Sequence, residues 1–158
     1  MGSRERRAGL SCADLMDPEE TTVYPAEQLP RISGILETAL YVADLDRAER
    51  FYRDVLALRQ IGKEPDRHVF FRLGSGVLLL FRADRTRQAG SLPSHGADGE
   101  IHVCFLVSPA DYETWKRHIQ GHEIAIQREV AWPQGRSFFF RDPDGNLLEL
   151  ADADIWPR

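Results

Sequence analysis

Most of this chain is marked out by apolar residues that alternate with polar ones or recur every three to four positions. From Ile35 to Val42 (ILETALYV), period-two spacing puts Glu37 and Ala39 on one face of a strand and Leu36, Leu40 and Val42 on the other. Asp44 then offers a helix N-cap, and Ala48, Phe51, Tyr52, Val55 and Leu56 recur at helical spacing as far as Leu58. His68 to Leu73 and Val77 to Arg82 read as strands, joined at Gly74-Ser75-Gly76 as a hairpin. Ala83 to Gly99 is polar and rich in Gly, Ser and Arg, the composition of a linker. Glu100 to Val107 is again a strand. Ser108 and Pro109 then open a helix whose Tyr112, Trp115 and Ile119 share one face, and Gly121 closes it. Further strands are predicted near Glu123 to Glu129, at Arg136 to Arg141 and at Asn146 to Asp152. Residues 1–33 hold mixed charges and three prolines without a sustained period, so they read as a leader or arm ahead of one domain over residues 34–158.

The two halves of that domain align. Glu37 stands five residues before Val42 on a strand leading to a helix, and His102 stands five before Val107 in the same setting. Phe70-Phe71-Arg72 and Phe139-Phe140-Arg141 are each followed, eight residues after the arginine, by Leu80 and Glu149. This is the signature of a duplicated βαβββ unit, with modules at residues 34–82 and 100–152. Equivalent strands brought together across a pseudo-two-fold axis would place Glu37, His102, Leu80 and Glu149 on one concave surface. Glu149 is the most telling of these, because it sits among leucines in FFFRDPDGNLLEL, just after an Asp-Pro-Asp-Gly turn. A carboxylate in such a strand must be exposed, paired or metal-bound.

Composition narrows the function classes. A chain of 158 residues, 42% hydrophobic, can bury one good core but not two large ones. Its 20 basic and 25 acidic residues give a net charge of −5, which argues against nucleic-acid or polyanion binding and for a small-molecule partner. No stretch approaches the roughly 20 apolar residues of a membrane span, and the first residues lack a signal peptide's apolar core, so a cytoplasmic location is expected. Cys12 in the leader and Cys104 in a strand do not make a disulfide framework, and Cys104 reads as a small core residue.

The phrases ILETALYVADLDRAERFYRDVLAL, GEIHVCFLV and FFFRDPDGNLLEL resemble the vicinal oxygen chelate superfamily, which includes glyoxalase I, extradiol dioxygenases, fosfomycin-resistance transferases and bleomycin-binding proteins. The resemblance implies an α+β fold of two tandem βαβββ modules forming a cup-shaped, half-barrel mixed sheet with helices on the outer face. By the same resemblance Glu37, His102 and Glu149 are the metal ligands, Glu37 and Glu149 are also catalytic, and a homodimer shares the site, with Glu37 of one subunit facing His102 and Glu149 of the other. A site within one chain is the alternative. One imidazole and two carboxylates suit Mn²⁺, Zn²⁺, Fe²⁺, Ni²⁺ or Mg²⁺. Glyoxalase-type relatives add a fourth ligand, and Leu80, at the position expected to correspond, cannot coordinate. His95, Trp132 and Arg141 are candidates to line a substrate pocket, and the arginines at 72, 82 and 136 are further candidate cations. The function implied is a metal-dependent lyase, isomerase or transferase acting on a small oxygenated substrate. An extradiol-type dioxygenase and a ligand-sequestering protein are the alternatives.

Overall fold

The computed structural model describes residues 25–90, 92–153 and 155–156. Contacts divide the chain between Gly34 and Ile35. The described part of the first unit includes one 3₁₀ turn, Ala26–Gln28. The earlier part of the predicted leader, with Cys12, lies outside the described residues.

The second unit contains two copies of one plan. The first runs β1 (Glu37–Tyr41), α1 (Leu45–Arg50), a π turn (Phe51–Val55), β2 (Arg59–Glu64), β3 (His68–Leu73) and β4 (Gly76–Phe81). After a short α2 (Ala83–Thr86), the second runs β5 (His102–Leu106), α3 (Tyr112–Gly121), β6 (Arg128–Ala131), β7 (Arg136–Arg141) and β8 (Leu147–Ala151). Each copy forms its own four-stranded mixed sheet, in the orders β1-β4-β3-β2 and β5-β8-β7-β6. In each, the first strand lies parallel to the last and the other pairs are antiparallel. The fold class is therefore the predicted α+β duplication.

The local chemistry explains most boundaries. Asp44 caps α1 by accepting a bond from the Arg47 N–H at 2.9 Å, as its position predicted. Leu45 and Ala48 of α1, and Phe51, Tyr52 and Val55 of the π turn, are buried. The buried faces of both sheets join one core: Leu40, Val69, Phe71, Leu78 and Leu80 with Phe105, Phe138, Phe140, Leu148 and Leu150. Each such side chain contributes about 1.5–3 kcal/mol by leaving water.

Three boundaries depart from the sequence pattern. β2 had no apolar signature: its RQIGKE is an edge strand with a bulge between Gln60 and Gly62, and Lys63 on it reaches Asp46 and Glu49 of α1. An exposed, charged edge needs no apolar alternation, and its lysine protects it from pairing with other chains. α3 begins at Tyr112 rather than at Pro109, because Ser108 Oγ donates to Asp111 Oδ2 at 2.7 Å within the turn that precedes it. β6 starts at Arg128, five residues later than expected; Glu123 adopts a left-handed φ of 60°, and Ile124 and Ile126 pack on the core outside any strand.

The Asp-Pro-Asp-Gly turn does more than close a hairpin. Gly145 takes a φ of 87°, as such a turn requires. Buried Asp142 accepts bonds from the N–H of Asp144 at 2.9 Å and of Asn146 at 2.8 Å, and from Tyr52 Oη at 2.8 Å. Burial, then the charge of Asp142, pushes the Tyr52 phenol well above its usual range. Asp144 accepts from the Ala43 N–H, and Asn146 Oδ1 accepts from the Ile101 N–H at the mouth of β5. The turn thus ties the two modules together and sets the register of β5 on β8.

Candidate metal and substrate site

Parallel pairing of β5 with β8 aligns His102 with Leu147 and Cys104 with Glu149. Antiparallel pairing of β7 aligns Phe139 with Glu149, and β6 sets Arg128 beside Phe139. One row across the open face of the second sheet therefore reads Cys104, Glu149, Phe139, Arg128, with His102 one step along on the same face. The sheet carries the buried core on its other side, so this face alone is free to hold a ligand.

His102 and Glu149 meet: Nε2 lies 3.3 Å from Oε2, with the imidazole 48% exposed and the carboxylate only 6%. His102 Nδ1 lies 3.0 Å from the Leu147 carbonyl, which can only accept, so Nδ1 carries the proton. In the neutral ring Nε2 then presents a lone pair toward a carboxylate oxygen. That juxtaposition is repulsive unless a cation or a proton joins the two. Glu149 Oε1 is buried and has no hydrogen-bond partner. A buried carboxylate with one oxygen unpaired, beside an imidazole oriented through its other nitrogen, is the donor set of half a metal site. It fits a divalent ion that accepts nitrogen and oxygen ligands.

Glu37 does not join this pair within the chain. It is exposed at the start of β1, and no group of three or more His, Cys, Asp or Glu is assembled among the described residues. The convergence of Glu37, His102 and Glu149 inside one chain is thus not met; each module keeps a separate sheet. The alignment of Leu80 with Glu149 is also corrected. β1 pairs Glu37 with Val77 and Ala39 with Leu79, so the counterpart of Glu149 is Leu79. The β3–β4 turn holds Leu73 opposite Gly76, whereas the β7–β8 turn holds Arg141 opposite Leu147, and this shifts the count by one. A one-residue slip changes faces, so Leu80 points into the core. Leu79 has no donor atom either, and the fourth-ligand position stays empty of chemistry.

The other candidates divide. Trp132 and Arg141 line an open cavity of about 590 Å³ with Arg128, Val130, Phe139 and Leu147. The His102 ring lies 6.2 Å from that of Phe139, so the cavity adjoins the His102–Glu149 pair. Trp132 is fixed by its indole N–H, which donates to Ser137 Oγ at 2.8 Å. His95 is placed instead on the first sheet, where it bonds Tyr41 Oη at 2.8 Å and packs on the edge of Phe81. Cys104 lies on the open face rather than in the core, and burial, then Glu149, pushes its thiol up to about 12, so it stays protonated. His68, expected at the surface, is stacked on Phe70 with Nδ1 buried and unpaired.

Among the arginines, Arg82 is taken up by Asp84, Arg136 by Glu113 and Asp152, and Arg141 by Glu100 at 2.5 Å. Arg72 reaches only the Gly76 carbonyl, on the first sheet, and the cation at this cavity that sequence reasoning missed is Arg128, which likewise has no carboxylate partner among the described residues. Its phase on β6, shared with Val130, was the available signal. Starting that strand five residues early hid it.

Comparison with known proteins agrees with this fold. A crystal structure of lactoylglutathione lyase from Agrobacterium tumefaciens is 39% identical, covers 82% of this chain and all of that one, and superposes with a TM-score of 0.77. Metallothiol transferase FosB of Staphylococcus saprophyticus is 25% identical over 131 residues, 80% of this chain and 82% of that protein. A fosfomycin resistance protein, FosX of Listeria monocytogenes, complexed with Mn(II) and 1S,2S-dihydroxypropylphosphonic acid, is 20% identical with a TM-score of 0.60, over 79% of this chain and 94% of that one. The family profile matches residues 34–150, and the chain belongs to the Glyoxalase/Bleomycin resistance protein/Dioxygenase superfamily.

Proposed function

We propose that this protein is a metal-dependent enzyme of glyoxalase-like type, a lyase, isomerase or transferase. It engages a small oxygenated substrate through two neighbouring oxygens at a divalent ion held by His102, Glu149 and Glu37. The observation that carries the reading is the buried Glu149 carboxylate, with Oε1 unpaired and Oε2 facing an imidazole nitrogen whose partner nitrogen is pinned. A purely structural glutamate at this depth would be costly without a cation. Two relatives, a lactoylglutathione lyase and a metallothiol transferase, carry names for lyase and transferase chemistry, and FosX is a relative seen with Mn(II).

A divalent ion in this setting supplies a Lewis acid that stabilises negative charge developing on a substrate oxygen. The chain's own groups do the rest. The Leu147 carbonyl holds the His102 ring in the tautomer that leaves Nε2 free. Glu149, set deep in β8, is suited to a fixed ligand role. Glu37, exposed at its strand end, is suited to moving a proton as well as coordinating. Phe139 and Trp132 keep one side of the substrate out of water. Because Glu37 stands apart from the pair in its own chain, we assign it to the site of a second copy, so that a homodimer completes two sites.

The test is elemental analysis of purified wild type beside Glu37→Ala, His102→Ala and Glu149→Ala. Wild type should hold close to one divalent ion per chain and each variant much less. Mixing Glu37→Ala with His102→Ala chains and letting them re-equilibrate should then restore metal, because a mixed dimer keeps one intact site. Failure to restore it would remove the shared site. Wild type that neither retains nor rebinds any divalent ion would leave the sequestering function as the better reading.

A further inference from the structure

The cavity beside the metal pair has two chemically different ends. Glu149 and His102 adjoin one end of it through their strand partners Phe139 and Leu147, and Arg128, whose guanidinium has no carboxylate partner among the described residues, lines the other. Between them lies Phe139, opposite Glu149 on one side and Arg128 on the other. Two strand spacings separate Glu149 from Arg128, about 9–10 Å at the backbone. Val130, Trp132 and Leu147 complete an apolar floor and wall along that path. Arg141, the other guanidinium at this cavity, is already bonded to Glu100 and to the Gly145 carbonyl, so it adds field without a free fork.

Resting on the metal-site reading above, we propose that the substrate is an anion of defined length. Its two neighbouring oxygens face His102 and Glu149, an apolar or planar middle lies across Phe139 and against Trp132, and a carboxylate, phosphonate or similar group at the far end pairs with Arg128. Arg128 is then a specificity residue: a guanidinium fork pairs in bidentate fashion with a planar anion and rejects a neutral group in the same place. Glu129, the next residue, points to the opposite face, where it bonds Tyr112 and Lys116, and so does not neutralise Arg128.

The experiment uses the full chain reconstituted with Mn²⁺ and two probes of the same shape, 4-carboxybenzohydroxamate and its neutral counterpart 4-carbamoylbenzohydroxamate, titrated by calorimetry. The hydroxamate supplies neighbouring oxygens, the ring supplies the planar middle, and only the far end differs. Wild type should bind the carboxylate probe at least about tenfold more tightly. In Arg128→Gln the preference should fall to within about twofold while affinity for the neutral probe stays unchanged, and Arg128→Lys should keep part of the preference. Equal affinities in wild type, an undiminished preference in Arg128→Gln, or no binding of either probe would overturn the subsite. Binding that keeps its charge preference but is unaffected by removing Mn²⁺ with a chelator would instead remove the metal reading and leave the subsite standing.

Discussion

The two modules share strand order, pairing and register, yet they use their open faces differently. Position for position, Glu37 matches His102, Ala39 matches Cys104, Val77 matches Leu147, and Leu79 matches Glu149. The second sheet therefore carries an imidazole beside a buried carboxylate where the first carries an exposed carboxylate and a leucine. Further along, Tyr41, Phe81 and His68 of the first sheet pack together under His95, whereas the second leaves a cavity over Phe139. Duplication supplied the scaffold twice, and on the metal reading proposed above one residue on the last strand separates the copy that would anchor a cation from the one that would not. In that reading the first copy would contribute only Glu37, to the site of a second chain.

The sharpest way to break this comparison is to put the carboxylate on the wrong face and then on the right one. Leu80→Glu buries a charge in the joint core and should cost more than about 4 kcal/mol, enough to abolish a cooperative thermal transition. Leu79→Glu, on the open face, should cost at least about 2 kcal/mol less and leave a folded protein by circular dichroism. The reverse order would show that Leu80, not Leu79, is the counterpart of Glu149. The next effect in size is the converse exchange. Glu149→Leu makes the second module copy the first: divalent metal affinity, read by competition with a chromogenic chelator, should fall more than about 100-fold. The metal-free protein should meanwhile melt a few degrees higher, since removing an unpaired buried carboxylate relieves about 1 kcal/mol. Loss of stability on that substitution would mean that Glu149 has a structural partner.

Those exchanges also show what was legible beforehand. The repeat, the fold class, and the closeness of His102 to Glu149 could be read because periodicity and a distinctive turn phrase fix which strand faces share a sheet. Leu80 was misassigned because face depends on turn length, and a hairpin one residue shorter reverses every side chain after it. β2 and Arg128 were lost for the same physical reason: an edge strand with a solvated face has no apolar period to count. Burial was least legible of all. Cys104 reads as core in an apolar strand and proves exposed, while His68 reads as surface and proves partly buried against Phe70.

His68 gives the smallest and most discriminating expectation. Its counterpart in the second sheet is Ser137, whose hydroxyl accepts the Trp132 indole N–H, whereas His68 Nδ1 is buried without a partner and lies 3.6 Å from Glu64. Burial lowers the imidazole's proton affinity; the charge of Glu64 opposes that effect and the charge of Arg67 adds to it. The folded state therefore binds fewer protons at this ring than the unfolded chain does. Stability should be full above the ordinary imidazole value of 6.5 and decline as the pH falls through it, levelling off below the lowered folded value. Thermal midpoints measured from pH 7.5 to 5 should fall less steeply for His68→Gln than for wild type, by on the order of 1 °C, since a few tenths of a kcal/mol moves a domain of this size by about that much. Parallel curves would mean that Glu64 compensates the desolvation in full. In that case the burial of the His68 ring would leave no mark on stability over this pH range.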